Sequence, residues 1–116
     1  RFSQSSYFAR SANRPKADIV LPIDNVVEEE GTFTNLRGRV QRFLQAKATP
    51  GMARPSWYVL SDLLGAMGEK ADYFTAADAF AALAAGEPAF AGLSFDTLGL
   101  RGLPVVDAAA FAEASR

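Results

Sequence analysis

The stretch ADIVLPIDNVVEEEGTFTNLRGRVQ, residues 17–41, holds the most distinctive local chemistry of the chain. A short apolar strand is predicted at Ile19–Leu21, and Pro22 ends it because proline has no amide to donate to a neighbouring strand. Three consecutive acids, Glu28–Glu30, come next, and a polar loop and a basic segment follow them. Charge runs of this kind usually form solvated faces. The residues alone therefore favour a strand, an acidic turn and a basic edge.

The second half of this stretch alternates between polar and apolar residues, as half-exposed strands do. Thr32–Thr34 and Arg39–Leu44 predict a ragged hairpin, with Asn35–Gly38 as its turn. Paired carboxylates can perform acid–base chemistry or bind magnesium or calcium. No other candidate ligand or base converges on Glu28–Glu30, so we expect these acids to form ion pairs with the basic block at 37–54.

Composition excludes several classes of chemistry. The 116 residues include neither cysteine nor histidine, which rules out disulfides, thiolate metal sites and Ser-His-Asp or Cys-His catalysis within this chain. No apolar run approaches the roughly 20 residues that cross a bilayer, and no signal peptide is expected. Because the sequence begins with Arg1, we expect it to be one piece of a larger protein.

Charge is segregated along the chain although the net charge is only −1. Four bases and no acid occupy residues 1–16, five acids and no base occupy 17–36, and five bases and no acid occupy 37–54. The remainder, 55–116, has eight acids and three bases. Blocks of alternating sign favour docking between segments and do not form the coherent basic face that nucleic-acid binding needs.

The whole pattern predicts an α/β fold with a short sheet edge of two or three strands followed by a helical layer. We expect a single segment with three parts: strands and loops at 1–45, a linker at 46–54 and helices at 55–116. A further strand or strand end is predicted at residues 1–9, anchored by Phe2, Tyr7 and Phe8, and a turn or short helical connection at Ser11–Lys16. The unbroken Ile-Val-Leu run is typical of a strand covered on both faces.

Two helices are predicted with defined ends. The first runs from Pro55 to Met67 and stops at Gly68, and its spacing predicts one buried stripe. That stripe comprises Trp57, Leu60, Leu64 and Met67, with Leu63 beside it.

The second helix starts at Thr75, with Asp78 completing a capping box, and it stops at Gly86. We expect Phe80 and Leu83 to be buried and Phe74 to pack back over the first turn. Two short helical turns, at Pro88–Gly92 and Ser94–Gly99, should pack through Phe90, Leu93, Phe95 and Leu98. Asp107 should cap a last helix that ends at Ala114.

The order and spacing of several motifs resemble the molybdopterin oxidoreductase superfamily. More narrowly, they resemble the C-terminal part of the large iron–sulfur subunit of bacterial NADH:quinone oxidoreductase, respiratory complex I. The matching residues are Ala17–Pro22, Glu30, Gly31–Asn35, Gly38–Gln41 and Pro50–Trp57.

The resemblance implies a non-catalytic scaffold segment that supports electron transfer from NADH to quinone by the whole complex. The segment alone would not be an enzyme and would hold no cofactor or metal. Iron–sulfur clusters would lie elsewhere in the parent, and molybdopterin would be absent. Its partners would be the rest of its own subunit and other peripheral-arm subunits, on the cytoplasmic side of a membrane-bound complex, with no nucleic acid and no membrane insertion.

An alternative is a fragment of a bis-molybdopterin-guanine-dinucleotide oxidoreductase of the formate dehydrogenase or nitrate reductase type. The 31–41 loop would then line the cofactor, since polar loops at strand ends line ligands in α/β sheets. Candidate cofactor-binding residues are Thr32, Thr34, Asn35, Arg39 and Gln41, with Arg39 able to bind an anion through two parallel hydrogen bonds. These groups could equally satisfy one another and the backbone of a buried loop.

A second alternative is a small anion-binding interaction module built on Arg37, Arg39 and Arg42, with Phe33 and Phe43 stacking on bases. The adjacent glutamates oppose it because they repel phosphate at close range. Arg37 also differs from the family that the sequence resembles, which usually has glutamate at this position, directly before the glycine. A base there reverses the local charge, so any role of a carboxylate at that position is in doubt.

Overall fold

In the computed structural model, which describes residues 2–4 and 18–114, the chain forms two units. Unit 1 comprises Arg1–Glu29 and Gln45–Asp72, and unit 2 comprises Glu30–Leu44 and Tyr73–Arg116. The hairpin thus belongs with residues 73–116, and the 46–54 linker belongs with the first strands and the first helix. The division into residues 1–45, 46–54 and 55–116 stays a prediction.

Unit 1 contains two parallel strands, β1 (Phe2–Gln4) and β2 (Ile19–Leu21), and one helix, α1 (Ser56–Ala66). Beyond Pro22, Ile23 forms an isolated parallel bridge with Arg54, in the segment just before α1. The strand predicted at Ile19–Leu21 is confirmed. The strand predicted within residues 1–9 is confirmed at Phe2–Gln4. The predictions for Tyr7, Phe8 and the 11–16 connection lie outside the described residues.

Unit 2 contains a three-stranded antiparallel sheet in the order β3 (Gly31–Thr34), β4 (Arg39–Phe43), β5 (Leu103–Pro104). The predicted hairpin is therefore confirmed, and β5 extends it by pairing Leu103 with Val40. The helices of this unit are α2 (Ala76–Gly86), α3 (Phe95–Leu98) and α4 (Ala108–Ala114), with a 3-10 turn at Pro88–Phe90.

Unit 2 has an apolar core, whereas the buried residues in the described part of unit 1 are polar. Phe80 of α2 contacts Phe95 of α3 with ring centroids 5.6 Å apart, and Phe90 edge-on at 6.3 Å. Burial of this kind stabilises a fold by about 1.5–3 kcal/mol per large side chain. The buried apolar residues are Val40, Ala76, Phe80, Phe95, Leu98 and Val105; the buried polar ones are Asp24, Glu28 and Ser61.

The helix ends follow the sequence signals. Thr75 Oγ1 accepts from the Asp78 amide, and the Asp78 carboxylate accepts from the Thr75 amide, which is the predicted capping box. Hydrogen bonds from the Thr75 side chain, and then from the amides of Phe74 and Thr75, lower the pKa of Asp78 below its ordinary 3.8. Gly68, with φ of +90°, follows the end of α1, and Asp107 accepts from the Ala110 amide as the expected cap of α4.

Several predicted buried residues are instead exposed. In α1, Leu60, Leu64 and Met67 are 47, 40 and 72% exposed, and the buried residue is Ser61, whose hydroxyl donates to the Ala71 carbonyl. The returning chain at Ala71 thus approaches a different side of the helix from the predicted stripe.

Residues predicted to be buried are also exposed in or beside α2 and in β2. Leu83 and Phe74 are 43 and 84% exposed, so Phe74 does not pack over the first turn of α2. Ile19 is half exposed, so within the described residues β2 is not covered on both faces as the sequence predicted.

No helix in the described part of the chain is both long and apolar enough to span a membrane.

Candidate functional site

Four of the five predicted cofactor-binding residues, Thr32, Thr34, Arg39 and Gln41, divide between the two faces of the β3–β4 hairpin, and the fifth, Asn35, lies in its turn. The register pairs Thr32 with Arg42, Phe33 with Gln41 and Thr34 with Val40. Directly opposed residues of an antiparallel pair project to the same side, and alternate residues of a strand project to opposite sides. The candidate residues therefore do not form one cluster.

The inner face carries Thr32, Thr34, Val40 and Arg42. Val40 is fully buried, and the Arg42 guanidinium lies 4.6 Å from the centroid of the Phe95 ring. Arg42 Nη2 also lies 3.4 Å from Glu30 Oε2. This face packs on the helices of unit 2, so Thr32 and Thr34 lie on the core side of the hairpin.

The outer face carries Arg39, Gln41, Phe33 and Phe43, and we call these four residues the hairpin platform. The Phe33 and Phe43 rings are stacked with centroids 4.8 Å apart and planes 23° apart, and Phe33 is 60% exposed. Gly31 permits this arrangement, since a Cβ there would lie 3.1 Å from Phe43 Cζ. The result is an exposed aromatic surface beside two polar side chains.

Arg39 has a fixed position on the hairpin platform. Its Nη1 donates to the carbonyl oxygens of Gly102, at 2.9 Å, and Arg101, at 3.3 Å. A guanidinium has five N–H donors, so the remaining donors of Arg39 stay available to a ligand. Gln41 is exposed, and its side-chain amide makes no hydrogen bond within the described part of the chain.

Asn35 has a structural task at the turn. Its Oδ1 accepts from the amides of Arg37, at 2.9 Å, and Arg39, at 3.0 Å. Gly38, with φ of +70°, completes the turn. Asn35 therefore holds the turn with its carbonyl oxygen, and Arg37 contributes its backbone amide there while its side chain is exposed.

Each of the three glutamates has a different partner. Glu28 is buried; its Oε2 accepts from the Asn25 amide at 3.0 Å, and its Oε1 lies 3.5 Å from Lys47 Nζ. Glu30 pairs with Arg42 as described. The predicted ion pairing with the 37–54 block is confirmed for these two acids.

Glu29 has a role that the sequence did not suggest. Its Oε2 accepts from the amide of Ser56, at 2.8 Å, and from the Ser56 hydroxyl, at 2.9 Å. It therefore caps the N-terminus of α1, where a carboxylate is favoured by the unpaired amides and the helix dipole. The partner lies 27 residues away, so local capping rules could not identify it.

The described residues contain no group of three or more acidic side chains placed to hold a metal ion. For an organic cofactor, the hairpin platform offers a stacking surface, the free donors of a fixed arginine, and an amide that both donates and accepts. These groups fit a planar heterocycle bearing an anionic substituent. Thr32 and Thr34 would not reach the same ligand.

Comparison with known proteins identifies the family. The molybdopterin oxidoreductase family profile matches residues 5–66, more than half of the chain. The F420-dependent formate dehydrogenase 2 subunit alpha of Methanococcus maripaludis is 43% identical over 89 residues, which is 75% of this chain and 13% of that protein. A putative formate dehydrogenase, YrhE, of Bacillus subtilis is 37% identical over 95 residues, 82% of this chain and 10% of that protein.

The chain thus spans about a tenth of the length of the relatives it matches. The superfamily part of the sequence prediction is confirmed, and so is the α/β fold. The narrower resemblance to complex I is not what these comparisons support, because the names of these relatives agree better with the alternative, a formate dehydrogenase type of enzyme. The chain belongs to the molybdopterin oxidoreductase family.

Proposed function

We propose that the protein containing this chain is a molybdopterin oxidoreductase of the formate dehydrogenase type, and that this chain supplies a wall of its cofactor site. The single observation that carries the activity is the 43% identity to a formate dehydrogenase alpha subunit over three-quarters of the chain. The hairpin platform supports the second part, because its exposed side chains suit a heterocyclic ligand.

The chain's own contribution is to bind and orient. With no histidine and no cysteine, it is poorly equipped to transfer protons at neutral pH or to ligate the metal through sulfur. A bound molybdopterin cofactor supplies the two-electron redox chemistry. Phe33 would stack on a ring, Gln41 would hydrogen-bond its polar edge, and Arg39 would bind an anionic substituent. Arg39 needs little reorganisation for this, since two carbonyls already hold its guanidinium.

Phe33 provides the sharpest test of the hairpin platform. We expect full-length protein purified from a host that makes the cofactor to contain molybdenum or tungsten by elemental analysis and a pterin by fluorescence after oxidation. Phe33→Leu should lower the pterin content per protein. The matched control is Phe74→Leu, which alters another exposed aromatic residue of unit 2 and should leave the content unchanged.

The two parts of the proposal fail separately. If the full-length protein holds neither metal nor pterin, the enzyme assignment is wrong. If it holds both and Phe33→Leu behaves like Phe74→Leu, the enzyme assignment stands and the role of the hairpin platform is wrong. Gln41→Ala is a second test of the hairpin platform. The Gln41 side chain has no hydrogen-bond partner in the described structure, so we do not expect this substitution to disturb folding.

A further inference from the structure

One apolar side of α1 is exposed, although its sequence is that of a buried helix face. It comprises Leu60, Leu64 and Met67, which are 47, 40 and 72% exposed, and we call these three residues the α1 stripe. The one charged residue of α1, Asp62, lies about 200° around the helix from Leu60, because successive residues advance by about 100°. A helix that is apolar on most of its sides is normally buried. The α1 stripe therefore lacks a covering segment.

Unit 1 also lacks an apolar core of its own within the described residues. The buried apolar residues of the described chain all belong to unit 2, and the buried residues of unit 1 are Asp24, Glu28 and Ser61. The contact that covers Ser61 is polar, from its hydroxyl to the Ala71 carbonyl. Because apolar burial is the main favourable contribution to folding, unit 1 needs apolar contacts that its described residues do not supply to one another.

The spacing of the stripe indicates which kind of segment covers it. Trp57 precedes the stripe, and Trp57, Leu60, Leu64 and Met67 follow one another at steps of three, four and three residues. This spacing lets two helices pack lengthwise on each other. The three exposed side chains fall within an arc of about 60°, which is the narrow stripe of paired helices rather than the wider face that a helix turns toward a layered core. The covering segment is therefore a helix.

The length of the relatives indicates where that helix comes from. The matched regions are 13 and 10% of two formate dehydrogenase relatives, so under the proposed function most of the polypeptide lies outside these 116 residues; the inference rests on the proposed function in this respect alone. Three partly exposed side chains offer much less than the roughly 800 Å² per partner that a stable interface between separate chains buries. A segment of the same polypeptide needs less area, because its effective concentration is high.

We propose that a helix of the same polypeptide, from outside residues 1–116, packs lengthwise on the α1 stripe. Its own apolar residues recur at steps of three and four, and they contact Leu60, Leu64 and Met67. This contact supplies the apolar burial that unit 1 lacks and makes α1 an internal helix of the protein.

Methionine oxidation measures the cover in full-length protein without any substitution. Hydrogen peroxide converts methionine to its sulfoxide at a rate that follows the exposure of the side chain. In the native protein we expect Met67 to be oxidised about tenfold more slowly than in urea-unfolded protein, as peptide mass spectrometry would measure. Native Met67 that is oxidised at nearly the unfolded rate, as its 72% exposure in this chain alone predicts, would overturn the proposal.

Photocrosslinking identifies the covering segment. Leu64 replaced by benzoylphenylalanine in the full-length protein should cross-link, at monomer mass, to a helical peptide outside residues 1–116. The matched control is the same replacement at Leu36, a 76% exposed leucine of unit 2, which should not reach that peptide. A cross-link at dimer mass would assign the stripe to a second copy, and one within residues 1–116 would assign it to this chain. Either result, or no cross-link, contradicts the proposal.

The proposed helix and the proposed function can fail independently. Neither the oxidation of Met67 nor the cross-link from position 64 requires a bound cofactor. Protein with a protected Met67 but neither metal nor pterin would support the helix and refute the enzyme assignment. Protein with metal and pterin but a freely oxidised Met67 would refute the helix and leave the enzyme assignment in place.

Discussion

Replacing Gly102 by alanine should break the junction between β4 and β5. Gly102 has φ of +68°, and an added Cβ would overlap the Val40 carbonyl oxygen and lie 2.9 Å from Gln41 Cγ. The left-handed conformation costs alanine about 1 kcal/mol. Moving the backbone to relieve the overlap would also remove the carbonyl acceptors of Arg39. The loss of a hydrogen bond to a charged group lowers stability by about 1.5 kcal/mol or more. Together these effects predict a loss of about 2.5 kcal/mol if one of the two bonds to Arg39 is lost and about 4 kcal/mol if both are lost.

Gly92→Ala is the matched control, because Gly92 has φ of +77° but no atom within 4 Å of an added Cβ. It should cost only the conformational term of about 1 kcal/mol. Urea unfolding followed by circular dichroism gives the two free energies. Hydrogen exchange at the Val105 amide, which donates to the Gly38 carbonyl at 2.8 Å, reports the junction directly. Equal destabilisation by the two variants would refute the argument from overlap.

Three further outcomes follow from the caps and the turn. Thr75→Ala should destabilise α2 by about 1 kcal/mol, measurable as a shift in the urea midpoint, and an unchanged midpoint would contradict the capping role. Because folding lowers the pKa of Asp78, its stabilising contribution should be complete above the ordinary pKa of 3.8 and lost as the pH falls below it; Asp78→Asn should flatten that part of the stability–pH curve, and a curve identical to that of the parent protein would be evidence against it. Arg37→Glu should change stability by less than about 0.5 kcal/mol, since the exposed residue contributes its backbone amide to the turn; a larger loss would show that the side chain has a partner.

Local signals in the sequence identified the elements well. The Thr75–Asp78 capping box, the stop at Gly68 and the hairpin turn at Asn35–Gly38 each depend on residues within four positions of one another. Such short-range chemistry is specified by the segment itself. The same holds for the alternation that predicted β3 and β4 and for Pro22 after β2.

Burial was predicted less well, because it depends on distant segments. The helical spacing of Leu60, Leu64 and Met67 indicated a core stripe, yet the returning chain at Ala71 meets Ser61 instead. Periodicity shows that a face is apolar but not what covers it. The exposure of Leu83 and Phe74 has the same explanation. β5 was not predicted for a different reason, because a strand of two residues is too short to show a pattern.

For the candidate site, residue types were informative and their grouping was not. Arg39 and Gln41 had the right donors, and the register places them on the outer face with Phe33. Thr32 and Thr34 have equally suitable hydroxyls but lie on the inner face. Alternation along the predicted strands would have separated the two pairs, so this division was accessible from the sequence once the hairpin register was considered.

The pairing of Gln45 with Glu28 has a practical consequence for engineering. Gln45 Nε2 donates to the Glu28 carbonyl at 2.7 Å, so the chain leaves unit 1 and returns to it at nearly the same point. The hairpin between these positions can therefore be treated as a replaceable segment. A short turn joining Glu29 to Gln45 should preserve the local connections of unit 1, and a hairpin from a relative could be exchanged at the same two positions to compare outer faces on an otherwise constant chain.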